Sequence, residues 1–304
     1  MPDRFASLPD TGTVRILSDL HLGHDRSVVQ RAEALRPLLA GADAVIFNGD
    51  TLQERADVFR PRSLDLVAGL MELCRREGVR PTLLRGNHDP TAWPLEMVDL
   101  LGGGITVTHG DVWLRLISPW SRAMPQYRSR LEAIHAEFPP AHQLDVRQRF
   151  DLLQRCRMAL PPTDSGRSSR GSRNRPSLFF REMWPPRRPW EVLKVYARLP
   201  GLASGFVRTY RPQSQVLVFG HTHRARIWRR GGRLLVNTGA FVTFAQPLMV
   251  EIKDHVLRAW RLAEVRGEWQ KQELAVTHPL KNFPETTGVV SAAKRNATES
   301  RPLP

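Results

Sequence analysis

Five short, largely apolar runs in this chain each end directly in a cluster of Asp, Asn, His and Gly, and that repeated junction constrains the fold more than any other feature. The runs are Val14–Ser18, Ala44–Asn48, Pro81–Arg85, Ile105–His109 and Val216–Phe219. They lack the polar alternation of half-solvated strands, so they read as strands buried on both faces. Helical patterns at Val28–Leu39 and Leu64–Arg76 separate the first three. Such alternation predicts right-handed βαβ units, whose sheets bind ligands outside the carboxyl ends of their strands. A further strand is expected at Val112–Ile117, and the closely spaced runs 225–228, 233–237, 248–252 and 256–260 predict an antiparallel series.

The clusters themselves are rich in metal ligands. Asp19-Leu20-His21 follows the first run, and in extended chain residues i and i+2 would face the same side. Gly49-Asp50, Gly86-Asn87-His88-Asp89, His109-Gly110-Asp111 and Gly220-His221-Thr222-His223 follow the others. Oxygen and nitrogen donors without thiolate suit manganese, iron or zinc. One zinc site needs only three or four ligands, so this surplus predicts two ions, which together can clamp a phosphate and activate water. The remaining histidines, His24, His135, His142, His255 and His278, read as ordinary surface or core residues. Asp89 and Asp111 read as hydrogen-bond acceptors behind the ligands. Arg85 and Arg224 either grip phosphate or are simply solvated. Cys74 and Cys156 form no CxxC pair, which excludes a thiolate zinc site and a disulfide scaffold and leaves two reduced thiols.

Taken in order, the five clusters resemble the signature of calcineurin-like metallophosphoesterases, over roughly residues 13–111 and 214–260. That resemblance implies an α/β fold, a four-layer αββα sandwich with metals at the strand ends. It implies that Asp19, His21 and His223 hold a first metal, that Asp50 bridges both, and that Asn87, His109 and His221 hold the second. Manganese is the first expectation, with iron or zinc as alternatives, and a metal-bridging hydroxide would attack the phosphoester. His88 would not bind metal but would stabilise the transition state or protonate the leaving oxygen. Many members carry, three positions after the bridging aspartate, a carboxylate that orients this histidine. Here that position is Gln53, whose amide can accept an imidazole N–H but supplies no negative charge.

Between the fourth and fifth clusters lies a segment of different character. Residues 118–211 carry 18 of the 45 Lys and Arg but only 7 of the 30 Asp and Glu, and so hold most of the chain's net charge of +15. This predicts an inserted basic helical cap at 118–211 between core segments 1–117 and 212–276, with a disordered tail at 277–304. Helices are expected at Leu131–Phe138, Val146–Met158 and Trp190–Leu199, and a mobile loop at Asp164–Pro176. The layout resembles UDP-2,3-diacylglucosamine pyrophosphatases and their relatives, whose helical lid holds acyl chains. Those enzymes usually carry arginine where this chain has His88, so the resemblance is to the wider group.

The partner implied is a phosphorylated small molecule or lipid-linked substrate. Phe179, Phe180 and Trp184 precede a stripe of Val192, Val195, Tyr196 and Leu199 that ends at Pro200-Gly201. The stripe either lies on an anionic membrane surface or packs against the catalytic core. A nuclease is the alternative, because basic residues interleaved with Trp and Phe can track phosphates and stack bases. The chain start lacks the apolar core of a secretory signal, and no run approaches the ~20 apolar residues of a membrane span. A cytoplasmic location is expected, peripheral to the inner membrane face at most.

Overall fold

The computed structural model describes residues 4–8, 12–121, 123–161 and 187–280. Two six-stranded sheets form its centre. In one, β2 (Val14–Leu17), β3 (Ala44–Asn48) and β4 (Arg80–Leu84) run parallel, and β10 (Leu248–Lys253) pairs antiparallel with β2. β11 (Val256–Val265) and β12 (Glu268–Pro279) complete it, in the order β12-β11-β10-β2-β3-β4. The other sheet holds β1 (Phe5–Ser7), β5 (Met97–Leu100), β6 (Ile105–Thr108), β7 (Val216–Phe219), β9 (Arg233–Asn237) and β8 (Arg226–Arg230), in the order β1-β5-β6-β7-β9-β8.

The inner faces of the two sheets pack on one another through Val14, Ile16, Ile46, Val107, Val218, Val236 and Val250, all buried. Branched side chains fill this dry interface because both faces of these strands are removed from water. Outside the first-described sheet lie a 3-10 turn (Ala32–Leu35), α1 (Arg36–Leu39) and α2 (Arg60–Arg76), packed through Leu35, Leu38, Leu70 and Leu73 onto Val45 and Phe47. Outside the other lie α3 (Met124–Ala136), α4 (Val146–Ala159) and α5 (Arg187–Tyr210), packed onto Leu217, Phe219 and Leu235. The result is the four-layer αββα sandwich that the sequence led us to expect.

Several local expectations change. The helices of segment 118–211 form the outer helical layer of a sheet, since Phe150, Leu199, Ala203 and Val207 share one core with β7 and β9. On α5, Val195, Leu199, Ala203, Phe206 and Val207 are buried at helical spacing, whereas Trp190 and Leu193 are 57% and 59% exposed. The helix continues through Pro200-Gly201, held by that stripe on both sides of the proline. Asp145 starts α4 with a capping box, accepting the Gln148 backbone N–H at 2.8 Å while Gln148 Oε1 accepts from Asp145 N–H at 3.0 Å.

Val112–Ile117 forms turns, not a strand. Its Val112, Trp113, Leu114 and Ile117 are buried in the helical layer, and burial alone gave them a strand-like look. Val28–Leu39 is helical only from Ala32. β12 reaches Pro279, past the expected start of the tail at 277. The expected loop Asp164–Pro176, together with Phe179, Phe180, Trp184 and residues 281–304, lies outside the described residues. No described helix is long and apolar enough to cross a membrane.

Candidate metal centre

All five clusters leave the carboxyl ends of parallel strands: β2, β3 and β4 from one sheet, β6 and β7 from the other. The site therefore spans the end of the sandwich. Asp19, His21, Asp50, His221 and His223 all adopt left-handed backbone conformations, with φ between 45° and 68°. For residues other than glycine that costs on the order of 1–3 kcal/mol each, and such outliers concentrate at functional sites. Asp19 and His21 do converge, but through these left-handed turns beyond the end of β2 and not through strand alternation. Two glycines admit the carboxylates. A β-carbon on Gly86 would overlap Asp50 Oδ1, and one on Gly220 would overlap Asp19 Oδ2.

Seven side chains expected as ligands meet here. Asp19, His21, Asp50 and His223 offer donor atoms within 4.8 Å of one another, and Asp50, His109 and His221 form a second such group. Asp50 belongs to both. Its Oδ1 accepts the His88 backbone N–H at 2.8 Å, while its Oδ2 is buried with no hydrogen-bond partner. That oxygen lies 3.4 Å from His109 Nε2, 3.7 Å from His21 Nε2 and 3.9 Å from His88 Nε2. His223 Nε2 is 3.5 Å from Asp19 Oδ1 and 3.0 Å from His21 Nε2. Asn87 Oδ1 sits 3.3 Å from His109 Nε2.

The ring orientations suit ligation. His221 Nε2 donates to the Ile117 carbonyl at 3.0 Å, leaving a buried Nδ1 without a partner. His109 Nδ1 donates to the Asn48 carbonyl at 3.1 Å, leaving Nε2 for the site. A buried polar atom without a partner carries a desolvation cost unless something binds it. Asp50 Oδ2 and His221 Nδ1 are two such atoms, and a cation shared among carboxylate, amide and imidazole donors would satisfy both.

The supporting groups were only partly visible in the sequence. Asp89 accepts N–H bonds from Asp50, Thr51, Leu52, Gly86 and the Trp93 ring at 2.7–3.1 Å, tying two of the five loops together. Asp111 takes both arms of Arg157 at 2.7 and 2.9 Å, and the same guanidinium reaches Glu96 at 2.8 Å. Arg157 lies on α4, so nothing local in its sequence marks it as a partner of Asp111. Gln53 touches both His88 Nδ1 and His21 Nδ1, each at 2.9 Å. Arg85 is engaged with the Trp93 carbonyl and Glu96, and Arg224 lies over the Tyr196 ring at 5.3 Å.

The electrostatics follow from burial and crowding. Burial lowers His221 to about 4 and holds His21 well below its usual range, and partial desolvation among neighbouring imidazoles lowers His223 as well, so these rings are neutral donors near pH 7. Burial also opposes charge on His109, but Asp50 and Asp19 outweigh it and raise the ring to about 10. Burial raises Asp19 to about 7, whereas His109 and His88 overcome burial at Asp50 and hold it well below the carboxylate range. Perturbed groups in one cleft of this kind mark functional sites.

The family model of the calcineurin-like phosphoesterases matches residues 12–225, which takes in all five clusters. The chain belongs to that family. No curated protein sequence matches this calcineurin-like phosphoesterase. Similar solved structures include vacuolar protein sorting 29 from Cryptosporidium parvum (15% identity, TM-score 0.43, 89% of this chain and 100% of that one). Zn2+-complexed Vps29 from Entamoeba histolytica is 14% identical with a TM-score of 0.39, over 86% and 97% of the two chains. The E. coli phosphoesterase Yfce is 16% identical with a TM-score of 0.42, over 88% and 99%. In this metallophosphoesterase a cleft of about 50 Å³ adjoins Asn87, walled by Arg55, Ser118, Ser121, Met124 and Leu160. The guanidinium of Arg55 is fixed there by the carbonyls of Arg157 and Leu160, at 2.8 and 2.9 Å.

Proposed function

We propose that this metallophosphoesterase uses two divalent ions to hydrolyse a phosphodiester or pyrophosphate bond in a small phosphorylated or lipid-linked substrate. The observation that carries the reading is Asp50, whose buried Oδ2 lies 3.4 to 3.9 Å from His109, His21 and His88 at the junction of two donor groups. On this reading Asp19, His21 and His223 hold one ion, Asn87, His109 and His221 hold the other, and Asp50 is shared. Two ions bound there would neutralise phosphoryl charge and lower the pKa of water between them. The donors carry no sulfur, which suits manganese, with iron or zinc as the alternatives.

The chain's own residues do the rest. The left-handed turns and the Asp89 anchor preset the ligand loops, so little reorganisation accompanies charge development. His88 Nε2, 3.9 Å from Asp50 Oδ2, stands at the edge of the shared site and would give a proton to the departing oxygen. His223 is the most open of the ligands, its side chain 39% exposed, so substrate would approach over it. The cleft beside Asn87, about 50 Å³, is too small for the organic portion of a substrate and brings the fixed Arg55 guanidinium to the edge of the site.

The test is a substrate panel on manganese-loaded protein: an aryl phosphomonoester, an aryl phosphodiester, UDP-diacylglucosamine and single-stranded DNA. Turnover of the diester or the UDP-lipid is expected. Turnover of the diester but not the UDP-lipid removes the lipid-linked substrate, and turnover of DNA alone favours a nuclease. Inactivity on all four after loading with manganese, iron or zinc would contradict the proposal.

A further inference from the structure

Gln53 is 1% exposed and stands between two imidazoles that the proposed chemistry uses differently. Its Nε2 is 2.9 Å from His21 Nδ1, and its Oε1 is 2.9 Å from His88 Nδ1. The two ends of an amide have nearly the same shape, so the protons of its neighbours decide which way it faces. In the arrangement shown, the amide NH2 donates to His21 Nδ1. A neutral His21 then carries its proton on Nε2, the atom that faces Asp19, Asp50 and His223. A nitrogen bearing a proton has no lone pair to give an ion.

The metal-holding state therefore needs the opposite tautomer at His21, with Nδ1 protonated and Nε2 bare. Gln53 is the hydrogen-bond partner of that Nδ1, and only its oxygen can accept. The amide must turn over, which brings its NH2 to His88 Nδ1. That nitrogen then accepts, and the proton of a neutral His88 is left on Nε2, which faces the shared carboxylate.

We propose that Gln53 is a positioning residue that links occupancy of His21 to the tautomer of His88, holding His88 as the Nε2–H donor whenever an ion is bound at His21. This rests on the two-metal reading of the site. It also gives the amide a role that a carboxylate could not fill. Two carboxylate oxygens can only accept, so a glutamate at position 53 would keep a proton on His88 Nδ1. Outer partners of metal-bound imidazoles generally fix tautomer and ring orientation in this way. Gln53 does so for two rings at once.

The test uses full-length protein labelled with 15N-histidine and loaded with diamagnetic zinc, with zinc counted in the same sample. Ring N–H correlations are recorded for wild type, Gln53→Glu and Gln53→Met. Wild type is expected to retain two zinc ions, with His21 protonated at Nδ1 and His88 at Nε2, and Gln53→Glu to carry the His88 proton on Nδ1. Gln53→Met is expected to lose zinc affinity by about 10- to 100-fold, the range for outer partners of metal-bound histidines. Two bound zinc ions with His88 protonated at Nδ1, or at both nitrogens, would overturn the inference and leave the metal reading standing. A wild-type sample that retains no zinc would overturn both, and the zinc count tells the two failures apart. The wild-type spectrum decides the question even if a variant fails to fold.

Discussion

Replacing Arg157 with methionine tests how the helical layer is bound to the centre. The guanidinium is 1% exposed and makes three charged hydrogen bonds of 2.7–2.9 Å, two to Asp111 and one to Glu96. Methionine matches much of its stem but leaves Asp111 buried without a cation and Glu96 with only the longer contact to Arg85, at 3.4 Å. Breaking a buried pair by removing one partner costs about 3–5 kcal/mol, because the stranded charge has lost both water and its partner. At ~2–4 °C per kcal/mol for a chain this large, the unfolding midpoint should fall by roughly 6–20 °C.

The loss should also depend on pH. Burial works against the ionised Asp111, but Arg157 outweighs it and holds the carboxyl below its usual 3.8. A depressed carboxylate stabilises the fold above its unfolded pKa, and that stability disappears as pH falls through the folded value. That loss lies below pH 3.8 in wild type. In the variant the guanidinium no longer opposes burial, so the stranded carboxyl takes up a proton at higher pH. Thermal unfolding at fixed scan rate should therefore show a large gap between variant and wild type at pH 7 and a smaller gap near pH 4. Adding Glu96→Gln and Asp111→Asn to the variant should recover much of the loss, since the stranded charges are then gone. A drop below about 2 °C at pH 7, equivalent to under ~1 kcal/mol, would show that the network is wet and refute the reasoning.

Two further outcomes follow from the same structure. Leu199→Ala should cost about 2–5 kcal/mol in urea unfolding, as a wholly buried leucine on α5, while Trp190→Ala on the same helix should stay within about 0.5 kcal/mol; equal effects would contradict the packing of this stripe on the sheet. Metal binding should release protons. His109, raised to about 10, must lose one near pH 8, and Asp19, raised to about 7, adds a second share near pH 6. Calorimetry in buffers of different ionisation heat should then find at least one proton released at pH 8, from His109 and from any water the ions deprotonate, and binding without proton release would contradict the apo charge state.

Much of the sandwich was legible because its central strands are buried on both faces. Runs such as Ala44–Asn48 and Val216–Phe219 have no solvated side, so their apolar character is continuous. β12 was not legible. It is a half-exposed edge strand of alternating charge and polarity, and only its pairing with β11 makes it a strand. Val112–Ile117 misled in the opposite direction, since its apolar residues are buried by helices while its backbone turns. On α5, a proline that ordinarily ends a helix is overridden by Leu199, Ala203 and Val207 packing on one face.

The candidate site divides in the same way. Its donor types stood in short local clusters, so the seven side chains that converge at the strand ends could be picked out from the chain. Their convergence could not be read correctly, because it depends on left-handed turns that residue identity does not announce at Asp19, His21 or Asp50. Arg157 and the double contact of Gln53 are products of tertiary packing, joining positions 46 and 32 residues apart. No local periodicity encodes either.

The most direct test of a shared Asp50 is metal content. Wild type and single alanine variants of Asp50, His221 and His223 would be equilibrated with manganese or zinc, passed through a desalting column and measured by elemental mass spectrometry. Two ions per chain are expected in wild type, one in each histidine variant, and close to none when Asp50 is removed. A single ion in wild type, or two retained without Asp50, would contradict a dinuclear centre built on its shared carboxylate.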